Sequence, residues 1–256
     1  MLQARRLGTH LAARAPAIGR VSHAFASDLA RAVETAQAVV DAQLAAAVAP
    51  EGGEAPPSVR LVQLRELRER DFGAAEGKKF ADGRGLEGAE SRGGMRLRAE
   101  GFVQGHLAPL LRRADGGVGS VVVVAHGLIL DSLLRVLLAR FAPGEMAVLG
   151  DARTTGWSNT GYAELAVEVG SVVVVGPERS DAAEAKVSGD RMPGPSTPHV
   201  ALSVAVVGLN VLKHLEGLKK TRGGIGSAQF DKRQRTMDSF FGPAAKKARV
   251  EESEES

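Results

Sequence analysis

The sequence predicts an α/β protein: a three-layer sandwich of helices around a mostly parallel sheet, followed by a disordered C-terminal tail. Three observations point there. VGSVVVVAHG holds four consecutive valines without polar alternation, the pattern of a strand covered on both faces, as in parallel sheets between helical layers. LILDSLLRVLLARF follows at once with leucines at helical spacing, which makes a strand-to-helix crossover. From Thr221 onward the apolar periodicity stops and the composition turns polar and charged.

The elements follow in order. LQARRLGTHLAAR sets Leu2, Leu7 and Leu11 at helical intervals and predicts a first helix. SDLARAVETAQAVVDAQLAAAV predicts a long alanine-rich helix with Ser27 and Asp28 as its caps. PEGGEAPPS is turn chemistry and makes a surface loop. VRLVQL is a short strand, followed by the charged RELRERDFGAAEGKKF and the loop DGRGLEGAESRGG. MRLRAEGFVQGHLAPLLRR reads as a helix. Beyond the valine strand and its helix, GYAELAVEVGSVVVVG reads as a hairpin turning about Val169 and Gly170. Residues 177–199, rich in Asp, Pro, Ser and Gly, are an exposed insertion. HVALSVAVVGLN is a last strand and VLKHLEGLKK a last helical turn or two. The body thus spans residues 1–215 and the tail 216–256, with no internal repeat.

Composition narrows the function. Hydrophobic residues make up 44% of 256, enough for a real core. The absence of cysteine excludes disulfides, zinc–cysteine sites and thiol nucleophiles. No apolar run approaches the roughly 18 residues that span a bilayer, so no membrane partner is expected. The net charge of +3 hides an uneven distribution: Lys213 to Arg249 holds ten Lys or Arg against three Asp or Glu, and four glutamates then close the chain. That is the charge pattern of a solvated, partner-seeking tail. Four arginines and no acidic residue in the first 27 also match a mitochondrial leader, the lesser alternative to a folded first helix.

In the body, His126 stands at the end of the valine strand, where parallel sheets place their ligand sites. Glu69 precedes RDFGAAEG, a loop whose glycines can bring its carboxylate to the same edge. Arg31 lies near the start of a helix, where amides and dipole already favour an anion. Taken singly, each is also compatible with a structural or solvated role.

Taken together and in order, these segments resemble the histidine phosphatase, or phosphoglycerate mutase-like, superfamily. QARRLGTHLA is similar to its first helix, ASDLARAVETA to its arginine-bearing phosphate motif and LRERDFGAAEG to the loop carrying its acid. Glu90 and Ser91 match a recurrent pair, VVVVAHG the strand of its second histidine, and SNTGYAEL a following Asn-Thr turn. The resemblance covers roughly residues 1–215. It implies phosphomonoester hydrolysis through a phosphohistidine, with no cofactor and no metal, on a phosphorylated substrate that the residues leave undefined. Arg31 and His126 would hold the phosphoryl oxygens and Glu69 would be the acid. Fixed cationic donors suit a phosphoryl centre because its charge spreads over its oxygens.

The departure is equally specific. The family's nucleophile lies in an Arg-His-Gly motif on a strand upstream of the first helix, and no such motif occurs in this sequence. His10 falls within the predicted first helix. One histidine cannot be both attacker and clamp, so His126 does not replace it. The expectation is a body whose first strand is missing, inactive as the chain stands: a truncated phosphatase or a non-catalytic descendant. Loss of a central strand would leave exposed sheet edges.

The tail carries its own signals. QRTMDSFF resembles the box that binds the sliding clamp of DNA replication, PCNA. Gln234 would enter a polar pocket, and Met237 and Phe240 would fall on one side of a short turn of about three residues per repeat, with Phe241 beside them as an aromatic anchor. Burying three such side chains yields about 5–8 kcal/mol, and ordering the segment takes back about 2–5 kcal/mol. The box at 234–241 is thus a weak to moderate ligand. In the following stretch, 243–250, Lys246, Lys247 and Arg249 fit a nuclear import signal read by an importin-type receptor, with Pro243 keeping it extended. Weak direct contact of this run with DNA phosphates is the alternative. EESEES, residues 251–256, is a solubilising end. A nuclear protein is therefore expected, with the cytoplasm as alternative. Either it is a clamp-recruited phosphomonoesterase, or it is a catalytically inactive clamp-binding adaptor.

Overall fold

A computed structural model describes residues 1–47, 59–76, 87–112, 119–149, 155–173 and 199–218. Most of the expected insertion, and the tail residues Gln234, Met237, Phe240, Phe241, Lys246, Lys247 and Arg249, lie outside the described residues.

Helices α1 (Leu2–Ala13) and α2 (Ala15–Ile18) lead into strand β1 (Val21–Ser27), helix α3 (Ala30–Ala45) and strand β2 (Arg60–Leu64). Then come α4 (Arg92–Phe102), a π-helical turn (Val103–Leu107), α5 (Ala108–Arg112), β3 (Ser120–Val124) and α6 (Gly127–Phe141). Strands β4 (Tyr162–Val173) and β5 (His199–Val211) close the described chain, with a 3-10 turn over Lys213–Leu215.

The first three strands form one parallel sheet in the order β2-β1-β3. Helices cover both its faces. Leu7 and Leu11 of α1 and Val39 of α3 pack with Val122 on one side. On the other, Phe25, Phe102, Ile129 and Leu133 pack with Val62, Val121 and Val123. Phe25 meets Phe102 edge-on at 5.3 Å, a geometry favoured by the charge distribution of aromatic rings. Helices α1 and α3 approach closely because position 8 is glycine: a Cβ there would fall 2.4 Å from the Ala38 carbonyl oxygen. The three-layer α/β architecture expected from the sequence is therefore present.

Three local expectations are corrected. First, Val21–Ser27 is a strand, and the central one, where no strand was expected. Its alanines, serines and histidine give no β-branched pattern; burial between two neighbours makes it a strand. Ser27 accordingly ends β1 and does not cap the helix, whose N-cap is Leu29 in extended conformation. The Ser27 hydroxyl still accepts the Leu29 amide at 3.3 Å.

Second, the valines of β3 are all only half-buried. Both faces are nevertheless covered as expected, Val122 on the side of α1 and α3 and Val121 and Val123 on the other, and among the described residues β3 pairs with β1 alone. Third, no turn occurs at Val169 and Gly170. β4 runs through both and pairs antiparallel with β5 in a separate two-stranded sheet, whose register shifts between Val169 and Val172. The glycine marks a bulge where a turn was expected. Leu165 of β4 and Leu202 of β5 nevertheless share the cluster that includes Val121 and Val123 of β3.

Candidate functional site

The three body residues singled out in the sequence come from the carboxyl ends of three adjacent parallel strands. β2 leads through a 3-10 turn, Arg65–Leu67, to Glu69. β1 leads to α3, where Arg31 is the second helical residue. β3 leads to His126, the N-cap of α6. Parallel pairing sends all three chain ends to one edge of the sheet, so residues far apart in sequence meet there.

Arg31 and His126 meet in direct contact, and Glu69 sits at the same helix start. Arg31 Nε donates to His126 Nδ1 at 3.1 Å. The Glu69 carboxylate sits on the first turn of α6, Oε2 accepting the Leu128 amide at 3.3 Å and Oε1 the Arg70 amide at 2.8 Å. A guanidinium has donors and no acceptor, so His126 Nδ1 must be the unprotonated nitrogen. The neutral ring then carries its proton on Nε2. That atom is buried and has no hydrogen-bond partner among the described residues. An unpaired buried donor of this kind costs about 1–3 kcal/mol, a cost that an acceptor oxygen would relieve.

The electrostatics agree. Burial pushes the His126 imidazolium pKa down to about 3, helped by Arg31 and Arg98 and opposed by Asp28. Burial also raises Glu69 above the ordinary carboxylate range, against the opposing amides of Arg70, Leu128 and Ile129 and the charge of Arg31. The site thus combines a fixed cation, a neutral N–H donor and a carboxyl group biased toward its protonated form. Such a set can hold an oxyanion and give a proton to a departing oxygen.

Sequence reasoning missed the groups that position this set. Arg68 makes two hydrogen bonds of 2.6 Å to Asp28, tying the β2 loop to the start of α3. Arg98 of α4 binds Glu90 through both carboxylate oxygens at 2.7 and 2.6 Å. Its remaining Nη1 donates to the carbonyls of Glu66 and Arg68, the backbone leading into Glu69, at 2.7 and 3.0 Å. Glu90 is half of the sequence pair with Ser91, and Ser91 caps α4 by accepting the Gly94 amide at 3.0 Å. The charged run around RERDF was the only signal for Arg68. Nothing local distinguishes Arg98 from Arg96, which forms an exposed helical ion pair with Glu100.

His10 lies in α1, as expected, in a different cluster. Its Nε2 is 3.0 Å from the Tyr162 hydroxyl, and its ring centroid lies 5.9 Å from that of His214. Arg14 binds Glu164 through both oxygens at 2.5 and 2.8 Å, so these groups fasten α1 to β4. No group of three or more His, Asp or Glu able to hold a metal occurs among the described residues, and no helix among them is long and apolar enough to cross a membrane.

Strand-end histidine, helix-start arginine and buried carboxyl gather at one edge of an α/β sheet. Residues 1–174 match the model of the histidine phosphatase superfamily, branch 1, and the chain belongs to that family. It is 27% identical over 187 residues to a protein of Schizosaccharomyces pombe named as a probable phosphatase, with 68% of this chain and 51% of the relative covered. The chain thus spans about half the length of that curated relative. Among solved structures, mycobacterial hydrolase 1 is 21% identical with a TM-score of 0.48, covering 82% of this chain and 84% of the other. A mycobacterial glucosyl-3-phosphoglycerate phosphatase is 24% identical with a TM-score of 0.46, covering 65% of this chain and 77% of the other.

Proposed function

We propose that this chain acts in phosphomonoester hydrolysis, with Arg31 and His126 as the clamp for the phosphoryl oxygens and Glu69 as the acid. The observation that carries it is the Arg31–His126 contact, which leaves a buried Nε2–H donor without a partner among the described residues at the helix start where Glu69, biased toward protonation, bonds the Leu128 amide. In the reaction a histidine nitrogen attacks phosphorus and forms a P–N bond while the ester P–O bond breaks. Glu69 gives its proton to the leaving oxygen. Water, deprotonated by the Glu69 carboxylate, then cleaves the P–N bond and releases phosphate.

The attacking histidine is not among the contacts described, and the sequence holds no Arg-His-Gly. We place it on a further strand alongside the second edge of β3, brought from outside these 256 residues. Support comes from the split sheet: β3 lacks a second partner among the described residues, yet its valines and the β4–β5 pair share one apolar cluster. The absence of the motif also favours the alternative, an inactive body whose role is to be carried to the sliding clamp.

On either alternative, the tail recruits the protein to the clamp in the nucleus through Gln234, Met237, Phe240 and Phe241, with Lys246, Lys247 and Arg249 read by an import receptor. Support is the spacing of QRTMDSFF and the basic run beside it.

Inorganic phosphate and vanadate titrated into the chain test the site. A fall in affinity on the order of 10-fold or more is expected in Arg31→Ala and in His126→Ala, and unchanged affinity in both would remove those residues from the site. The intact mass of the protein from its own cells separates phosphatase from adaptor. A species heavier than 26.7 kDa with an Arg-His-Gly segment is the phosphatase. Clamp binding is tested by replacing Phe240 and Phe241 with alanine, which should abolish it.

A further inference from the structure

Trp157 is the sole tryptophan of the chain, and it lies against the first turn of α6. Its ring atom Cδ1 is 3.9 Å from the position a Cβ would take on Gly127, the residue after His126. The next amide, that of Leu128, is the one held by Glu69. Indole and acid thus lie beside successive residues at the helix start.

The ring is held as well as packed. Its Nε1 donates to Asp131 Oδ1 at 2.8 Å. The same oxygen accepts the Thr155 amide at 3.0 Å and the Thr155 hydroxyl at 2.5 Å. Asp131 is only 6% exposed, so one buried carboxylate oxygen pins the loop at Thr155 and Trp157 onto α6. One part of the indole packs near Leu134 and Leu138, while the residue as a whole stays half-buried. Packing alone does not require three donors converging on one buried oxygen to hold an aromatic that keeps a partly open surface.

We propose that Trp157 is the surface on which the substrate's leaving group rests, so that the site prefers phosphate monoesters of aromatic or other flat apolar alcohols. This rests on the phosphate site described above. A proton donor must lie within about 2.6–3.2 Å of the oxygen it serves. The group attached to that oxygen therefore lies beside Glu69 and next to the start of α6, where the indole forms the neighbouring wall. Gly127 contributes no side chain between them. Offset or edge contact with an aromatic leaving group adds roughly 2- to 10-fold in affinity.

The test uses phosphonates that cannot be hydrolysed, with CH2 in place of the ester oxygen. Benzylphosphonate, ethylphosphonate and inorganic phosphate are titrated into the full chain by calorimetry. All three should bind, benzylphosphonate roughly 2- to 10-fold more tightly than ethylphosphonate. Trp157→Ala should bring the ratio of the two to about one, and Trp157→Phe should keep most of it. Emission from the unaltered chain reports Trp157 alone, and benzylphosphonate should change it more than ethylphosphonate does. That readout stands even where Trp157→Ala does not fold. Equal binding of the two phosphonates with no difference in emission overturns the proposal, as does a preference that survives Trp157→Ala. Failure of inorganic phosphate to bind overturns the phosphate site itself, and this inference with it.

Discussion

The Nε of Arg31 sits 3.1 Å from Nδ1 of His126, across 95 residues of sequence. Because arginine only donates, this one contact fixes the histidine's tautomer and directs its remaining proton to Nε2. The arginine also helps keep the ring neutral, since a second positive charge beside it is unfavourable.

His126 should therefore remain neutral far below ordinary histidine pH values, with its proton on Nε2. Nitrogen chemical shifts of the imidazole, followed from pH 8 downward, check this. In Arg31→Ala the titration should move upward, because a lowering charge is gone while burial remains. Phosphate affinity in the same variant should fall on the order of 10- to 100-fold, the worth of a hydrogen bond to a charged group.

Stability should decline as pH falls through the histidine range. His126, His10 and His214 all have folded-state pKa values below 6.5, chiefly through burial. Below that value the unfolded chain takes up protons that the folded one refuses, so the stability present above pH 6.5 is lost on acidification. Glu69 works in the other direction: its raised pKa stabilises the fold at low pH, a contribution lost as pH rises through the folded value. Three histidines against one carboxyl predict a lower urea midpoint at pH 5 than at pH 7. His126→Gln should flatten the dependence.

Arg98→Ala should loosen the loop that carries Glu69. It leaves the Glu90 carboxylate, in an ion pair whose side chains are 22% and 15% exposed, without its partner. It also strips the carbonyls of Glu66 and Arg68 of their donor. A cost of about 3 kcal/mol is expected from urea denaturation. A role confined to stability would leave the Leu128 amide resonance in place. Release of Glu69 should shift it, because that amide bonds to the Glu69 carboxylate.

Gly8→Ala should separate α1 from α3. The added methyl would lie 2.4 Å from the backbone oxygen of Ala38, which has little freedom to retreat within a helix. Overpacking of this kind costs about 1–3 kcal/mol. The thermal midpoint measures it, and Leu2→Ala, at a residue 62% exposed, serves as the control with little change.

The sequence by itself determined the alternation of helices and strands in most of the body, because periodicity and valine runs are local signals. It also named Arg31, Glu69 and His126, since strand ends and helix starts are where local chemistry marks an anion site. It did not reveal β1, whose VSHAFAS carries no strong β signal and becomes a strand by lying between β2 and β3. Nor did it show that the valines of β3 are only half-buried, because burial depends on which partners reach the strand. The tertiary structure alone chose Arg98 over Arg96 to hold the backbone leading into Glu69, and Asp131 to hold Thr155 and Trp157. Those choices depend on long-range distance and burial, which no window of neighbouring residues contains.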